Sequence, residues 1–184
     1  AMIENEVRMT TYTVEMANGV SNLAVQMGND PHINIKLDTG MSRLGFQIHE
    51  DSVDAIEEIS KMPGLKLEGM FTHFAKADET DKAYTDVQIG KYNYMRDELK
   101  KRGVTFPIYH CSNSAGIIDI KKANMDLVRA GISIYGLYPS EEVEKKNVPL
   151  RPAMELMSHV SYVKTVPEGT PVSYGGTYVT EKET

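Results

Sequence analysis

The stretch Lys36-Leu37-Asp38-Thr39-Gly40-Met41-Ser42-Arg43-Leu44-Gly45 is the most informative part of the sequence. It begins as a strand, breaks at a glycine turn and then places an arginine in the loop that follows. Lys36 on the strand and Arg43 on the loop can converge on one anionic group. This arrangement is typical of the C-terminal mouth of an α/β barrel, where such enzymes keep their chemistry.

Size and composition indicate a globular protein of ordinary make-up. The 184 residues are enough for one substantial domain, or one domain and part of another. The polar start of the chain shows no signal peptide, and no apolar run has the length of a membrane span. The single cysteine, Cys111, excludes an internal disulfide and fits a reducing cytosol. A net charge of -6 argues against general nucleic-acid binding. We expect a cytoplasmic protein with neither a nucleic-acid nor a membrane partner, and no metal site is predicted.

Short β-rich runs alternate with helical runs along the first 135 residues. The predicted strands cover residues 8–14, 32–37, 67–74 and 107–111, and residues 127–135 are predicted to contain a fifth strand or its end. Helical spacing of apolar residues joins them over 16–27, over 53–62 after a cap at Asp51 or Ser52, and over 84–99 with Gly103 as the stop. A short helix is predicted to begin near Ser114. This pattern predicts βα units around a parallel sheet.

The sequence composition changes after Pro139, where a charged stretch over 141–147 is followed by prolines. Residues 157–166 and 172–178 then read as strands with no helix between them. We therefore predict two domains, over residues 1–149 and 150–184. Because a whole (β/α)8 barrel takes about 250 residues, the first is predicted to be a partial TIM-like barrel without its first strands. The second is predicted to be the start of a mainly β domain.

Polar side chains follow the predicted strands, and each has a structural and a functional interpretation. Lys36 is either a solvated strand-end lysine or part of the anion site. His73, between two phenylalanines, is more often a satisfied structural residue than a ligand. Arg129 lies in a segment that looks buried, so it must be paired or hydrogen-bonded.

A second group of residues has the same two interpretations. Asn113 and Ser114 form either a plain helix cap or a phosphate site, because a hydroxyl at a helix start binds phosphate well. Gly131 and Ile132 offer backbone N–H groups, which is a weak signal alone. Tyr174 taken in isolation is a turn aromatic.

Five motifs together make the chain resemble a known family. They are KLDTGMSRLGF (36–46), FTHFAKADE (71–79), HCSNSAG (110–116), VRAGISIYGLYPS (128–140) and VSYGGTY (172–178). In this order they resemble alanine racemases, fold-type III enzymes that depend on pyridoxal 5'-phosphate. The likeness runs from about residue 33 to residue 178.

The resemblance implies a role for each motif residue that would contact the pyridoxal phosphate ring or the substrate. Arg43 is implied to contact the phenolic oxygen of pyridoxal phosphate, and a carbamylated Lys36 to hold Arg43 in place. His73 is implied to join Tyr174 and Arg129 in a hydrogen-bond relay. Arg129 is implied to face the pyridine nitrogen. Tyr174 is implied to be one of two catalytic bases, serving the active site of the partner in a homodimer.

The resemblance also implies a phosphate site and an activity. Ser114, with the backbone of Gly131 and Ile132, is implied to hold the phosphate, and Asn113 to support that loop. The implied reaction interconverts L-alanine and D-alanine by a two-base Lys/Tyr mechanism and supplies D-alanine for peptidoglycan. The alternatives are an amino-acid racemase of broader specificity and a barrel that binds pyridoxal phosphate without catalysis.

One expected motif of the family is not found in these residues. The cofactor lysine of alanine racemases lies near the N-terminus in a Lys-Ala-Asn-Ala-Tyr-Gly type of motif. Residues 121–124 read Lys-Lys-Ala-Asn, but Met125 and Asp126 follow, and the segment lies between the phosphate loop and Arg129. We reject it as the cofactor lysine and expect the chain to be a fragment, inactive alone.

Overall fold

A computed structural model describes residues 1–153 and 155–184 of the chain. The internal contacts divide the chain into two compact units, Ala1–Ala153 and Met154–Thr184. Each unit is described by itself. No helix among the described residues has both the length and the apolar character that crossing a membrane requires.

The first unit is built on a parallel sheet with strand order β1-β2-β3-β4. The strands are β1 (Met9–Thr11), β2 (His32–Lys36), β3 (Lys66–Phe71) and β4 (Ile108–His110). Helices α1 (Val14–Met27), α2 (Glu50–Ser60), α3 (Ala83–Lys101) and α4 (Ser114–Asp119) alternate with them. The predicted α/β class and parallel sheet are confirmed.

Side-chain caps and a glycine with positive φ set the ends of helices α1 and α2. Thr13 caps α1 by accepting the amide of Met16, and Gly28 ends the helix with a φ of 66°. The predicted cap of α2 at Asp51 or Ser52 is wrong. The ring nitrogen Nδ1 of His49 accepts the amide of Asp51 at 3.2 Å, so the helix begins earlier. An imidazole nitrogen with an available lone pair satisfies an amide at a helix start as a carboxylate does.

The core lies between the sheet and its helices. Ile35 and Met70 of the sheet are fully buried together with apolar residues of α2 and α3, among them Ile56 and Leu99. The helix predicted over 84–99 is formed as α3. Tyr84 and Val87 are nevertheless exposed, while Thr85, Gln88 and Tyr92 are buried. The α3 face that meets the sheet is therefore partly polar.

A close contact marks the register shift between β2 and β3. The ladder slips by one residue between Ile33 and Asn34, so that Asn34 lies opposite Gly69. A Cβ atom on residue 69 would lie 2.0 Å from the side-chain oxygen of Asn34. Glycine at position 69 therefore makes room for this amide, which donates to the buried carboxylate of Glu68 at 3.3 Å.

The strand predicted over residues 127–135 is not formed. The amides of Asp126 and Arg129 donate to the carbonyls of Tyr109 and Ser112 at 3.1 and 3.0 Å, so the segment runs beside β4. No ladder continues from these bonds. Residues Ile132–Tyr135 form a 3₁₀ turn, because the amide of Ile134 bonds locally to the carbonyl of Gly131.

The second unit contains a two-stranded antiparallel hairpin of β5 (Pro171–Val172) and β6 (Tyr178–Val179). The single strand predicted over 172–178 is wrong, because Ser173, Gly175 and Gly176 adopt positive φ and reverse the chain. The strand predicted over 157–166 is not formed either. Val166 exchanges two backbone hydrogen bonds with Thr184, but residues 157–165 form no strand. A strand requires a neighbour to take its backbone hydrogen bonds, and none of the described chain pairs with this segment.

Candidate functional site

A cavity of about 410 Å³ lies where β3 and β4 run into their loops. Among its lining residues are six that the sequence singled out: His73, Asn113, Ser114, Arg129, Gly131 and Ile132. The carboxyl ends of parallel strands meet at one edge of a sheet, which brings these loops together.

A second cavity, of about 550 Å³, lies at the opposite, amino-terminal ends of the strands. Its lining is polar, and several of its charges are paired, such as Lys66 with Asp30 and Arg8 with Glu68. Because α/β barrels place their chemistry at the carboxyl ends of the strands, we take the cavity beside Arg129 as the candidate site.

Arg129 is held by three acceptors at the edge of the sheet. Its guanidinium donates to the carbonyls of Thr72 and Cys111 at 2.7 and 3.0 Å, and to Nδ1 of His110 at 2.5 Å. An arginine has only donors, so Nδ1 of His110 accepts and the ring is neutral. Burial and the charge of Arg129 together lower the pKa of His110 to about 4.

The ring of Phe71 lies between the charged groups of Lys36 and Arg129. Lys36, Phe71 and His110 are register partners on β2, β3 and β4, so their side chains share one face of the sheet. Phe71 stacks on His110 with ring centres 4.7 Å apart. The ammonium of Lys36 and the guanidinium of Arg129 lie 5.5 and 5.2 Å from the centre of the same ring. Phe71 and His110 were missed as site residues, although both stand in the quoted motifs.

Lys36 is a buried lysine rather than a solvated one. Its side chain donates from Nζ to the carbonyl of Leu37 at 2.6 Å, and the residue is 2% exposed. Burial lowers the pKa of Lys36 to about 8. The carboxylate of Asp38 opposes this change, and the guanidinium groups of Arg129 and Arg43 add to it.

Arg43 stands on a loop that leaves the sheet and returns to it. The carboxylate of Asp38 accepts the amides of Gly40 and Ser42, and the amide of Phe46 returns to the carbonyl of Lys36 at 2.8 Å. The side chain of Arg43 is exposed and does not line the cavity that contains Ser114 and Arg129. Its charge nevertheless acts on Lys36 and on His73.

His73 is a neutral imidazole among cations. Burial, followed by the charges of Arg129, Arg43 and Lys36, lowers its pKa to about 4. The structure pairs the guanidinium of Arg129 with His110 rather than with His73. The relay that the resemblance implies through His73 and Arg129 is therefore not a direct hydrogen bond in the first unit.

Ser114 gathers several hydrogen-bond donors beside the cavity. Its Oγ accepts the amides of Gly131 and Ser133 at 3.0 and 3.3 Å and lies 3.1 Å from the hydroxyl of Ser133. Asn113 caps α4 by accepting the amide of Gly116 at 3.0 Å. Ser133 was missed by sequence reasoning, and its only signal was its position directly after Ile132.

Asn113 also connects the two loops that line the cavity. Its side-chain amide donates to the carbonyl of Phe74 at 3.2 Å, so the start of α4 is tied to the loop after β3. Asn113 is therefore a helix cap whose side chain also contacts the loop after β3. Its support of a phosphate-binding loop stays a prediction.

Tyr174 belongs to the second unit, where it begins the 3₁₀ turn Tyr174–Gly176 between β5 and β6. Its side chain is fully exposed within the described chain. The role of Tyr174 as a catalytic base stays a prediction.

Comparison with known proteins identifies the first unit. The family described as "Alanine racemase, N-terminal domain" matches residues 1–139. An alanine racemase of Methanococcus maripaludis is 46% identical over 182 residues, which are 99% of this chain and 49% of that protein. The chain spans about half the length of the curated relatives it matches.

Solved structures give the same picture. The alanine racemase of Clostridium difficile 630 superposes with a TM-score of 0.91 at 44% identity, over 99% of this chain and 48% of that one. The alanine racemase of a D-cycloserine-producing Streptomyces lavendulae superposes with a TM-score of 0.90 at 33% identity, over 100% of this chain and 49% of that one.

Proposed function

Since the chain belongs to the alanine racemase family, we propose that the natural polypeptide that carries it interconverts L-alanine and D-alanine with pyridoxal 5'-phosphate. The proposal places the cofactor in the cavity beside Arg129 and Ser114, in a cytoplasmic homodimer that supplies D-alanine for peptidoglycan. The observation that carries it is the convergence of six motif residues on one cavity, where burial and nearby cations lower the pKa of His73.

The donors around the cavity fit this cofactor. Arg129 uses three of its five N–H donors on protein acceptors among the described residues, so two remain for another acceptor. Even a half-buried guanidinium is stabilised by such acceptors. Ser114 Oγ already accepts two amides, so its own proton is directed to the hydroxyl of Ser133 at 3.1 Å, and a phosphate oxygen would accept that proton in place of Ser133. Arg129 would face the pyridine nitrogen, and Ser114 with the amides of Gly131 and Ile132 would hold the phosphate.

Arg129 also sets the electronic character of the site. When bound, pyridoxal phosphate withdraws electrons from the substrate's α-carbon and makes the α-proton acidic enough to remove. Arginine stays protonated and only donates, so it leaves the ring nitrogen unprotonated. A weaker electron sink suits a racemase, because it limits side reactions such as transamination.

Racemisation needs a base on each face of the substrate. We propose Tyr174 as one base, acting in the partner subunit's site, and a lysine from the family's Lys-Ala-Asn type motif as the other. A tyrosine ordinarily titrates near pH 10, so Tyr174 needs a cationic environment to lose its proton. The guanidinium groups of Arg129 and Arg43 supply that environment around His73, which is neutral and can accept a hydrogen bond.

Lys36 is proposed to carry a carbamate. Its pKa of about 8 leaves part of the amine unprotonated near neutral pH, which is the form that attacks carbon dioxide. A new N–C bond forms and one proton is released. The product is an anion, whose charge would balance the guanidinium groups of Arg43 and Arg129.

The proposal is tested on the natural polypeptide loaded with pyridoxal phosphate. We expect production of D-alanine from L-alanine, and slower reaction with serine and lysine. Equal rates on all three would favour the broad-specificity racemase. Cofactor binding without any racemisation would favour the carrier.

The phosphate site is tested separately by titrating the cofactor. Ser114→Ala should weaken cofactor binding by about tenfold, the effect of losing a hydrogen bond to a charged group. Ser52→Ala, on α2 and outside the cavity lining, is the control. Unchanged affinity in Ser114→Ala would contradict the assignment of the phosphate site.

A further inference from the structure

The side chain of Gln88, on α3, forms hydrogen bonds with the backbone of the loop that follows β3. Gln88 is fully buried, and its side-chain oxygen accepts the amide of Ala75 at 2.9 Å. Its side-chain nitrogen donates to the carbonyl of His73 at 3.2 Å. The side-chain amide thus takes the two backbone bonds that a neighbouring strand would take, at a point where the ladder has ended.

The second proton of this nitrogen starts a chain of buried hydroxyls. Gln88 donates to Oγ1 of Thr39 at 3.1 Å, and Thr39 lies 2.7 Å from the hydroxyl of Thr72. Thr72 in turn donates to the carbonyl of Leu37 at 3.0 Å. Because the single proton of Thr72 is used there, Thr39 is the donor between the two hydroxyls.

This series of hydrogen bonds ends at backbone carbonyls that also bind Lys36 and Arg129 of the candidate site. The carbonyl of Leu37 also accepts the ammonium of Lys36, and the carbonyl of Thr72 accepts the guanidinium of Arg129. Thr39 and Thr72 are as buried as Gln88. Every polar atom of the glutamine side chain therefore connects α3 to the loops after β2 and β3.

We propose that Gln88 is a positioning residue that fixes the loops after β2 and β3 against each other and so places His73 relative to Arg43 and Arg129. It acts through backbone and hydroxyl groups and touches neither substrate nor cofactor. The significance of this placement for catalysis rests on the proposed function.

The pKa of the His73 imidazole is the direct readout of this placement. Burial of the ring, followed by the charges of Arg129 and Arg43, keeps its pKa below the ordinary 6.5. Without Gln88 the carbonyl of His73 and the amide of Ala75 lose their partner, and the backbone moves to find others. The ring then moves away from the cations, and its pKa rises.

The experiment titrates His73 by NMR in the natural polypeptide and in its Gln88→Leu variant, in buffers purged of carbon dioxide so that Lys36 carries no carbamate. We expect the pKa to be about 4 in the wild type and clearly higher in the variant. In the same variant kcat should fall by about a hundredfold, since small misplacements have effects of that size. The KM for alanine should change little.

Thr85→Val is the matched control, because Thr85 lies on the same helix, is equally buried and has a hydroxyl with no partner among the described residues. It should leave both readouts unchanged. If Gln88→Leu does not fold, Thr39→Val decides the matter by the same two readouts, and Thr39→Ser should restore the wild-type values.

A folded Gln88→Leu or Thr39→Val variant with the wild-type pKa of His73 would overturn the proposal. A wild-type polypeptide without racemase activity would overturn the proposed function instead. The titration of His73 needs neither activity nor cofactor, so the two failures can be told apart.

Discussion

The burial of Lys36 makes the stability of the wild type depend on pH, and the substitution Lys36→Met should remove that dependence. An unfolded lysine titrates near pH 10.4, whereas burial lowers the pKa of Lys36 in the fold to about 8. Between these values the unfolded chain binds more protons than the folded chain, so stability rises with pH. At 1.36 kcal/mol per pH unit, the gap amounts to about 3 kcal/mol.

The quantity to measure is the free energy of unfolding of the wild type minus that of Lys36→Met. It should increase by about 3 kcal/mol between pH 7 and pH 10.5, because only the wild type has a buried ammonium to discharge. Urea unfolding of the natural polypeptide at a series of pH values gives both curves, and the pH-independent effects of the substitution cancel. Buffers purged of carbon dioxide prevent a carbamate from altering the charge.

Lys91→Met, at an exposed position of α3, controls for the loss of a lysine as such. A difference that stays flat from pH 7 to pH 10.5 would refute the reasoning, since it would mean that Lys36 keeps an ordinary, hydrated ammonium.

Three further predictions concern other contacts. Gly45→Ala should lower the free energy of unfolding by about 3 kcal/mol or more, since a Cβ there would stand 2.5 Å from a backbone nitrogen at a φ of 132°. The control is Gly103→Ala, where φ is also positive but the space is open; it should lower the free energy of unfolding by only about 1–2 kcal/mol. Equal urea midpoints for the two variants would contradict the close contact at position 45. Arg129→Lys should weaken cofactor binding in a fluorescence titration, because an ammonium cannot reproduce the planar fork of donors; unchanged affinity would be evidence against its position in the site. Glu68→Gln should destabilise the fold at neutral pH, and the difference should shrink in acid, because hydrogen bonds and the ion pair lower the pKa of Glu68 despite its burial; a difference that grows in acid would contradict this.

Local pattern was sufficient to predict most elements of the first unit. The apolar spacing over 53–62 depends only on residues that follow one another, and Val53, Ile56 and Ile59 are buried in α2 as expected. The segment over 127–135 misled because its apolar residues looked like a buried strand. Leu127 and Val128 are instead 39% and 41% exposed, and local bonds at Gly131 turn the chain.

The cavity followed from one topological rule, because the carboxyl ends of parallel strands meet wherever the sheet is formed. The hydrogen-bond partners of the residues around the cavity could not be predicted from this rule. The bond of Arg129 to His110 joins residues from two segments, and Gln88 contacts Thr39 across 49 positions. Nothing in the local sequence around a mid-helix glutamine distinguishes a solvated side chain from a buried one.

The close contact between Asn34 and Gly69 has a consequence for the evolution of the family. Because the amide oxygen occupies the space of a Cβ atom at position 69, any relative with a side chain at that position must have a shorter residue opposite it. The two positions should therefore covary, with one partner always small. Sequences that combine alanine or serine at position 69 with asparagine at position 34 should be depleted among natural homologues.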